Sequence, residues 1–384
     1  MERPQTIIDS HVHFAWPITH DSLDEALAVS GADMACLTAL AGCTRLDPTL
    51  DILVYKHMHP DRVFAFGCLD CTAYGRARGK SLGRTFAKHA AKLMEMGCDG
   101  VKMLEGKPTM RKKFPVPDFD SPCWEPFFAY AEETRLPILW HVNDPETFWR
   151  PETLPAFARS CGWGYGKDDV DNEAQYRQVR AVLERHPQLN VTFAHMFFFS
   201  GQLVRLTEWM DAFPNMRVDL TPGIELYENL SANLEAARAF FDRFPDRILY
   251  GTDIGGRTVL KESAPKLNIA ESALRAKYCR FFLTESASMG VRAVGDFLIG
   301  SEPFVLHGLG LPPDRLDRIF RQNFLAFLGR QAPAPVDAEA CRRECARERR
   351  RMRAYCLRHG AEPDERALDA ADRYFTAVIA ARRK

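Results

Sequence analysis

Eight short stretches rich in β-branched and aliphatic residues recur along the first two thirds of the chain, and amphipathic helical patterns separate them. The stretches lie near residues 6–13, 34–40, 63–69, 100–105, 136–142, 190–197, 216–221 and 247–254. Regular alternation of strand and helix favours a parallel sheet, because parallel neighbours need a crossover connection. A count of eight such units predicts closure into a (β/α)8 TIM barrel.

An open doubly wound sheet is the structural alternative, because alternation alone does not require closure. No G-x-G-x-x-G follows the first predicted strand, and no G-x-x-x-x-G-K-[ST] occurs in the chain. The usual nucleotide-binding motifs of open sheets are therefore missing. We predict a barrel catalytic domain over residues 1–330, followed by a basic helical C-terminal extension over residues 331–384 that begins with the linker Q-A-P-A-P.

The charge of the chain is balanced, since Lys plus Arg and Asp plus Glu both total 51 among 384 residues. This balance argues against nucleic acid and membrane surfaces as partners. The segment from Cys341 to Lys384 holds thirteen Lys or Arg against seven Asp or Glu. Because acidic residues are interleaved and aromatic residues are few, we expect a solvated or subunit-packing helical hairpin, and hence a homo-oligomer, rather than a nucleic-acid surface.

The N-terminal M-E-R-P-Q runs into the first strand without a secretory apolar core, and no apolar run reaches the roughly 20 residues that span a bilayer. We therefore expect a cytoplasmic protein. Eleven scattered cysteines fit reduced thiols better than a disulfide framework. Cys68 and Cys71 form a C-x-x-C, which we interpret as ordinary thiols rather than a redox or metal motif.

Two His-x-His pairs differ in the end of a strand that they occupy. His11 and His13 close the first strand and share its parity, so both are predicted to point into the barrel mouth. His57 and His59 instead end a helix before Pro60 and the third strand. Active sites of such barrels lie at the C-terminal ends of the strands. The first pair is therefore a candidate site, and the second pair is predicted to be surface residues at the opposite end.

Other strand ends bring further functional groups to the same mouth. Lys102, His141, His195 and Asp253 end strands four, five, six and eight. A single histidine in an apolar strand is more often a core residue, but coincidence across five strands is improbable. Imidazole and carboxylate ligands suit a divalent metal, with zinc as first choice and manganese, iron or cobalt as alternatives. Asp253 would be both ligand and proton shuttle. Asp9 would either hold a ligand imidazole or act as a buried structural hydrogen-bonding group.

This arrangement resembles the amidohydrolase superfamily, and within it the amidohydrolase-related group that includes carboxymuconate-semialdehyde-type decarboxylases and aromatic lactone hydrolases. The resemblance covers residues 6–330 and rests on D-S-H-V-H-F, W-H-V-N, F-A-H-M and G-T-D-I, with R-Q-N-F-L-A-F-L-G later in the chain. It implies a metal and catalytic set formed by His11, His13, His141, His195 and Asp253. It leaves open whether a C–N, C–O or C–C bond is cleaved.

Lys102 has two interpretations. In superfamily members with two metals, a strand-four lysine is carboxylated and bridges them, which requires a depressed pKa. In members with one metal, the residue at this position contacts the substrate or lines the pocket. One or two ions therefore fit the sequence. Glu105, at the end of the same run, is a second catalytic candidate or a rim residue.

The long connection from Asn143 to Asp169 is rich in proline, glycine and aromatic residues, as in functional loops. We predict a lid in which Trp149, Trp163 and Tyr165 hold a planar ring, or else pack only on one another. Arg150 and Arg257 would bind anionic groups of the substrate. Trp140, of opposite parity to His141, is expected to face the helices.

The sequence thus predicts a metal-dependent hydrolase that uses metal-activated water on a small, carboxylated molecule, with an aromatic ring as one option for its body. A metal-dependent non-oxidative decarboxylase is the first alternative. A non-catalytic barrel that only binds a ligand is the second, but the complete set of predicted ligands favours catalysis.

Overall fold

The computed structural model of the chain describes residues 6–43, 45–292, 299–300 and 302–382. The first five residues, which enter the expectation of a cytoplasmic protein, lie outside these ranges. Eight parallel strands form one sheet in sequence order. They are β1 Ile8–His13, β2 Met34–Thr38, β3 Val63–Cys68, β4 Gly100–Gly106, β5 Ile138–Val142, β6 Val191–Phe193, β7 Met216–Asp219 and β8 Ile248–Leu249.

Backbone hydrogen bonds between the first and last strand segments close the sheet. The amide of Ser10 donates to the Tyr250 carbonyl at 3.0 Å, and the amide of Asp253 donates to the His11 carbonyl at 2.9 Å. The amide of His13 donates to the Ile254 carbonyl at 2.7 Å. The predicted (β/α)8 barrel is therefore confirmed, and the open doubly wound alternative is excluded.

Helices surround the barrel and extend beyond it. They are α1 His20–Ser30, α2 Thr49–Met58, α3 Lys80–Met96, α4 Pro108–Lys113, α5 Glu125–Glu133, α6 Ala156–Ser160, α7 Asn172–Arg185, α8 Leu203–Ala212, α9 Leu226–Ala232, α10 Leu234–Arg243, α11 Ile269–Thr284, α12 Pro313–Asp317, α13 Asn323–Leu328, α14 Ala338–His359 and α15 Arg366–Ala381. A two-stranded antiparallel pair, β9 Ser288–Val291 and β10 Phe304–His307, lies after the barrel.

Local sequence explains where several helices begin and end. The side chains of Thr19, Asp171 and Asn268 accept hydrogen bonds from the first turns of α1, α7 and α11, as N-cap residues do. Gly97 ends α3 at a φ of 99°, and a Cβ there would lie 2.3 Å from the Pro335 carbonyl oxygen. Only glycine therefore allows the linker after the barrel to pass so close to this helix end.

Strands six and eight are shorter than their sequence runs predict. The run at 190–197 yields only Val191–Phe193, and the run at 247–254 yields only Ile248–Leu249. His195, Met196 and Phe197 have φ angles of 57°, 49° and 59°, and Asp253 has a φ of 57°. These left-handed conformations lie beyond the ends of both strands, at residues that form the site described below.

The C-terminal residues form the predicted helical hairpin, which packs on the protein's own barrel. The Cys341 thiol in α14 lies 3.7 Å from the Met96 carbonyl, and the Tyr374 hydroxyl in α15 lies 2.8 Å from His57 Nδ1. Arg351 pairs with Asp70 at 3.4 Å and with Glu344 at 2.6 Å. Part of the basic character of the tail is therefore neutralised within the molecule.

His57 and His59 lie at the end of α2, away from the barrel mouth, as predicted. Both are partly buried rather than fully exposed, because α15 covers His57 and the Tyr55 ring contacts His59 at 4.4 Å between centroids.

The eleven cysteines are all free thiols. Cys68 and Cys71 are buried, and burial raises the pKa of each thiol well above its ordinary value. Within the described ranges, no helix combines the length and apolar character needed to cross a membrane.

Candidate metal and active site

Three ligand-type side chains converge where the barrel closes. His11 Nε2 and His13 Nε2 are 3.1 Å apart, and His13 Nε2 lies 2.9 Å from Asp253 Oδ1. The potential ligand atoms of these three residues all lie within 4.8 Å of one another, and all three side chains are buried. The first and last strands therefore bring two imidazoles and one carboxylate together, as the sequence predicts.

The remaining imidazole nitrogens of this cluster are held by the protein. His11 Nδ1 lies 2.8 Å from Asp219 Oδ2, a carboxylate at the end of β7. His13 Nδ1 lies 3.1 Å from the Thr38 carbonyl oxygen and 2.8 Å from the Thr38 hydroxyl oxygen, whose own proton goes to the Val12 carbonyl. Both partners are acceptors, so each Nδ1 carries the proton and each Nε2 presents a lone pair. Burial and the charge of Lys102 keep the pKa of His11 well below its ordinary value, which agrees with a neutral imidazole.

This pattern of protonation fits a bound cation. Two unprotonated nitrogens and a carboxylate oxygen face one another at about hydrogen-bond distance, and such acceptors repel one another unless a positive charge lies among them. Metal-binding histidines characteristically donate their other nitrogen to a carboxylate or carbonyl, as His11 and His13 do here. The donor set of two imidazoles and one carboxylate matches divalent zinc or a similar ion.

Asp219 was missed by the sequence analysis, which considered Asp9 for this role. Asp9 instead accepts hydrogen bonds from the Thr252 hydroxyl at 2.6 Å and from the Thr252 and His11 amides. Of the two roles considered for Asp9, these contacts fit the buried structural hydrogen-bonding group. Burial raises the pKa of Asp9 to about 7. The signal for Asp219 was its place at the end of the seventh strand in M-R-V-D-L-T.

His195 lies beside the cluster on a left-handed turn that Asp219 also supports. The amide of His195 donates to Asp219 Oδ1 at 2.8 Å, and His195 Nδ1 lies 3.2 Å from the Thr221 carbonyl. Its ring centroid is 5.8 Å from that of His11. Burial and the neighbouring His141 lower the pKa of His195 well below its ordinary value. The Nε2 of this imidazole is therefore free to accept a proton or a ligand.

His141 belongs to a second polar group at the mouth. Its ring centroid lies 5.1 Å from that of His195, and its Nε2 is 3.4 Å from Asp144 Oδ1. Asp144 also accepts hydrogen bonds from Lys107 Nζ and from the Tyr165 hydroxyl, both at 2.5 Å. Burial lowers the pKa of His141 to about 4. Of the five predicted ligands, three form the close cluster, while His141 and His195 lie next to it.

Lys102 points into the same cavity and contacts the cluster directly. Its Nζ lies 2.9 Å from His11 Nε2, and its side chain is 1% exposed. Burial lowers its pKa to about 8, although Asp219 and Asp253 act in the opposite direction. A neutral amine is therefore accessible near physiological pH. Glu105 does not line this cavity, and burial raises its pKa to about 7.

Arg275, a fully buried residue of α11, was not anticipated from the sequence. Its Nη2 lies 3.1 Å from Asp253 Oδ2, the oxygen opposite to that facing His13. Burial alone would raise the pKa of Asp253, but the adjacent His13 imidazole and the charge of Arg275 hold it well below its ordinary value. Gly255 follows at a φ of 84°, where a Cβ would lie 2.2 Å from the His13 carbonyl oxygen. Asp253 is thus fixed as a carboxylate.

The cavity above these groups has mainly apolar walls and a volume of about 60 Å³. Its upper wall comes from the long connection after β5, through Phe148, Phe157 and Trp163. Trp149 and Arg150 do not line it: Trp149 bonds to the Val170 carbonyl, and Arg150 pairs at the surface with Glu146. The predicted lid segment therefore forms a wall of the cavity, and of its predicted aromatic residues Trp163 lines the cavity, together with Phe148 and Phe157.

Arg257 also lies outside the cavity wall and pairs with Glu271 at 3.8 Å. Arg275 of α11, rather than Arg257, lies next to the carboxylate of Asp253. Trp140 behaves as predicted, since its ring packs between Phe119, Phe128 and Phe193 on the helix side of the sheet.

A sequence profile described as amidohydrolase matches residues 8–330 of the chain. The chain belongs to the amidohydrolase family. The superfamily is metal-dependent, and its members are enzymes, including hydrolases and decarboxylases, that act on small molecules. A comparison with curated protein sequences finds no match to this amidohydrolase.

Solved structures share the fold of this amidohydrolase at low sequence identity. An uncharacterised TIM-barrel protein from Bordetella bronchiseptica is 14% identical with a TM-score of 0.52, and the match covers 85% of this chain and 100% of that chain. A 2,6-dihydroxybenzoate decarboxylase complexed with 2,6-dihydroxybenzoate is 15% identical with a TM-score of 0.50, and the match covers 85% and 99%. At such identities the likeness extends to the fold alone.

Proposed function

We propose that this amidohydrolase is a metal-dependent hydrolase of small molecules that carry an anionic group on an apolar body such as an aromatic ring. The convergence of His11 Nε2, His13 Nε2 and Asp253 Oδ1 carries this proposal. These three residues would hold one divalent ion, with zinc as first choice and manganese as the alternative. When bound, such an ion polarises a substrate oxygen and acidifies water.

The chain's own residues supply the remaining functions. His195 would accept the proton of the attacking water at Nε2 and return it to the leaving group, because its Nδ1 is held by Thr221. Asp253 is the second candidate for this transfer, but Arg275 fixes its other oxygen. Lys102 would bind the anionic group of the substrate, and Phe148, Phe157 and Trp163 would exclude water.

Non-oxidative decarboxylation is the second candidate, and the Arg275 contact favours it. A carboxylate that is held as an anion on both oxygens is suited to be a permanent ligand rather than a proton acceptor. In this reaction the bond to the carboxyl carbon breaks, the electron pair stays on the remaining carbon, and that carbon takes a proton from the conjugate acid of His195 or His141. Carbon dioxide leaves, and no water is consumed.

An isotope experiment separates the two reactions. Enzyme loaded with zinc or manganese would be incubated with small aromatic carboxylic acids and with esters, lactones and amides that bear a carboxylate. Hydrolysis places ¹⁸O from labelled water in the product, whereas decarboxylation places deuterium from D2O on carbon and releases carbon dioxide. If the metal-loaded protein transforms no member of either class, the proposed reactions are wrong.

Metal content tests the number of ions. Elemental analysis of protein purified without chelator should give about one divalent ion per chain if His11, His13 and Asp253 form a single site. A content near two ions per chain would instead support a carboxylated Lys102 that bridges a pair of metal ions.

His13→Ala should lower metal occupancy first and activity as a consequence. Asp253→Asn should retain most of the metal, and a turnover loss of about 10²–10⁴-fold would show that it takes part in proton transfer.

We also retain the expectation of a homo-oligomer, which light scattering of the purified protein can test. The division into a catalytic domain of residues 1–330 and a C-terminal extension of residues 331–384 likewise stays our proposal.

A further inference from the structure

A second cavity lies between the C-terminal hairpin and the loops at the C-terminal face of the barrel. Its volume is about 410 Å³, within the range of small-molecule sites. Among the described residues, none lines both this cavity and the one that contains His11 and His13. The second cavity is therefore a separate space, and the mechanism proposed above makes no use of it.

Most of its wall is apolar and comes from both parts of the molecule. Trp16 and Leu46 belong to the loops after β1 and β2, whereas Met352 and Tyr355 belong to α14. These side chains can surround a short aliphatic or aromatic group, since aromatic rings and the methionine thioether both adapt to apolar ligands.

The positively charged groups of the wall already have carboxylate partners. Arg45 forms a close ion pair with Asp51, and Arg366 donates to Asp364 Oδ2 at 2.6 Å. The Arg366 guanidinium also lies 4.5 Å from the centre of the Trp16 ring. An anionic ligand would have to compete with these carboxylates, so the cavity is poorly suited to anions.

Glu348, by contrast, is a carboxyl group with unused hydrogen-bonding capacity. It lines the cavity from α14 and is 3% exposed. Its Oε1 accepts one long contact from Arg45 Nη2 at 3.4 Å, and among the described residues Oε2 has no hydrogen-bond partner. A buried acceptor without a partner costs free energy, which a charged donor would recover.

The surroundings of Glu348 favour an additional positive charge. Burial and the negative charge of Asp47 raise the pKa of Glu348 well above its ordinary value, although Arg45 and Arg351 act in the opposite direction. A cation close to Oε2 would favour the ionised carboxylate.

We propose that this cavity binds a small organic cation, an ammonium or amidinium group on a short apolar or aromatic body, with Glu348 holding the charged group. Trp16 lies three residues after His13, and Ser263 lies three residues after Leu260, which lines the first cavity. A ligand here therefore contacts segments that continue directly into the active site. The cavity is thus placed to act as an effector site.

Isothermal titration calorimetry with phenethylammonium tests this inference on the full-length protein. We expect phenethylammonium to bind, and 2-phenylethanol and phenylacetate to bind at least tenfold more weakly, since they lack the charged donor. Glu348→Gln should weaken phenethylammonium binding by about tenfold or more. Glu344→Gln is the matched control, because Glu344 is buried on the same helix but pairs with Arg347 and Arg351.

A second variant fills the cavity without a change of charge. Ala367 lines the cavity and is buried, so Ala367→Leu should abolish phenethylammonium binding, whereas Ala361→Leu at an exposed position should not. If Glu348→Gln does not fold, the comparison of Ala367→Leu with Ala361→Leu tests the proposal instead. Unchanged binding in Ala367→Leu, or binding of phenylacetate as tight as that of the amine, would overturn the proposal. Because binding is measured directly, failure here leaves the proposed hydrolase activity unaffected.

Discussion

Asp219 connects three strands through one buried carboxylate. Oδ2 holds His11 Nδ1, while Oδ1 accepts from the His195 amide and the Thr221 hydroxyl. It therefore orients a metal ligand and stabilises the left-handed turn that presents His195. A neutral amide at this position could not match this set of acceptor contacts, because one of its two polar atoms is a donor.

Asp219→Asn should accordingly weaken metal binding by about 10–100-fold, the usual effect of removing a partner of a ligating histidine. Competition with a chromogenic chelator measures the metal dissociation constant. Asp9→Asn is the matched control, since Asp9 is equally buried but bonds mainly to Thr252. It should lower stability and leave metal affinity nearly unchanged. Equal losses of affinity in both variants would contradict the role of Asp219.

Glu105 gives a pH-dependent stability that can be tested without a substrate. It is 1% exposed, its Oε2 lacks a partner among the described residues, and burial raises its pKa from 4.5 to about 7. Between these values the folded protein keeps a proton that the unfolded chain loses, so this residue lowers stability as the pH rises from about 5 to 7.

Glu105→Gln removes the ionisable group and should increase the free energy of unfolding at pH 8, by up to about 3 kcal/mol for a shift of this size. The gain at pH 5 should be small, because Glu105 is protonated there in the folded protein. Urea denaturation at both pH values measures the difference, with Glu133→Gln on the surface as the control. A gain of the same size at both pH values would rule out ionisation of Glu105 as the cause.

The connection after β5 is held at its far end by several contacts, and the hydrogen bond of Tyr165 is one of them. The Tyr165 hydroxyl donates to Asp144 Oδ2 at 2.5 Å, and Lys107 lies 4.5 Å from the Trp163 ring centre. With the segment in place the active-site cavity measures only about 60 Å³, so substrates of ordinary size require the segment to move.

Tyr165→Phe should release this segment while metal content and global stability are retained. Hydrogen exchange of residues 146–168 should become faster by about tenfold, which corresponds to the loss of one charge-assisted hydrogen bond. Arg150→Ala provides the control, since Arg150 is exposed and pairs only with Glu146 among the described residues. Exchange that stays unchanged in Tyr165→Phe would show that aromatic packing and the contacts of Lys112 with Gly164 and Asp169 hold the segment without this hydrogen bond.

The alternation of side chains at the strand ends was sufficient to predict which strand residues meet at the site. It could not predict the contributions of loops and of later helices. His11, His13 and Asp253 meet as the alternation of side chains along β1 and the order of the strands require. Trp149 and Arg150 do not line the active-site cavity, and this could not be predicted, because an irregular loop has no periodicity from which side-chain orientation can be read. Arg275 could not be anticipated, since it reaches Asp253 from a helix that follows the barrel strands.

At the scale of the whole molecule, Arg351 joins the hairpin to the barrel through buried charge. Its guanidinium lies 3.4 Å from Asp70, 3.7 Å from Asp47 and 2.6 Å from Glu344, and its side chain is 16% exposed. Burial would lower its pKa, but these carboxylates raise it above its ordinary value. Removal of this one cation would leave these buried carboxylates without one of their charged partners.

Arg351→Ala should therefore lower the free energy of unfolding by about 3–5 kcal/mol, as when a buried ion pair loses one member. Arg350→Ala, at the exposed neighbouring position, should change it by less than about 0.5 kcal/mol. Guanidinium chloride unfolding of both variants measures the difference. Similar small effects in the two variants would mean that water satisfies these carboxylates when Arg351 is absent.

The position of the hairpin has a consequence for how the protein is made. Helices α14 and α15 are synthesised long after α2 and α3, which they cover through contacts such as Cys341 with Met96 and Tyr374 with His57. Until α14 and α15 have been made, the apolar outer faces of α2 and α3 are uncovered, and surfaces of this kind attract chaperones or other nascent chains. A chain that stops short of α14 would thus leave a nearly complete barrel with the outer faces of α2 and α3 exposed.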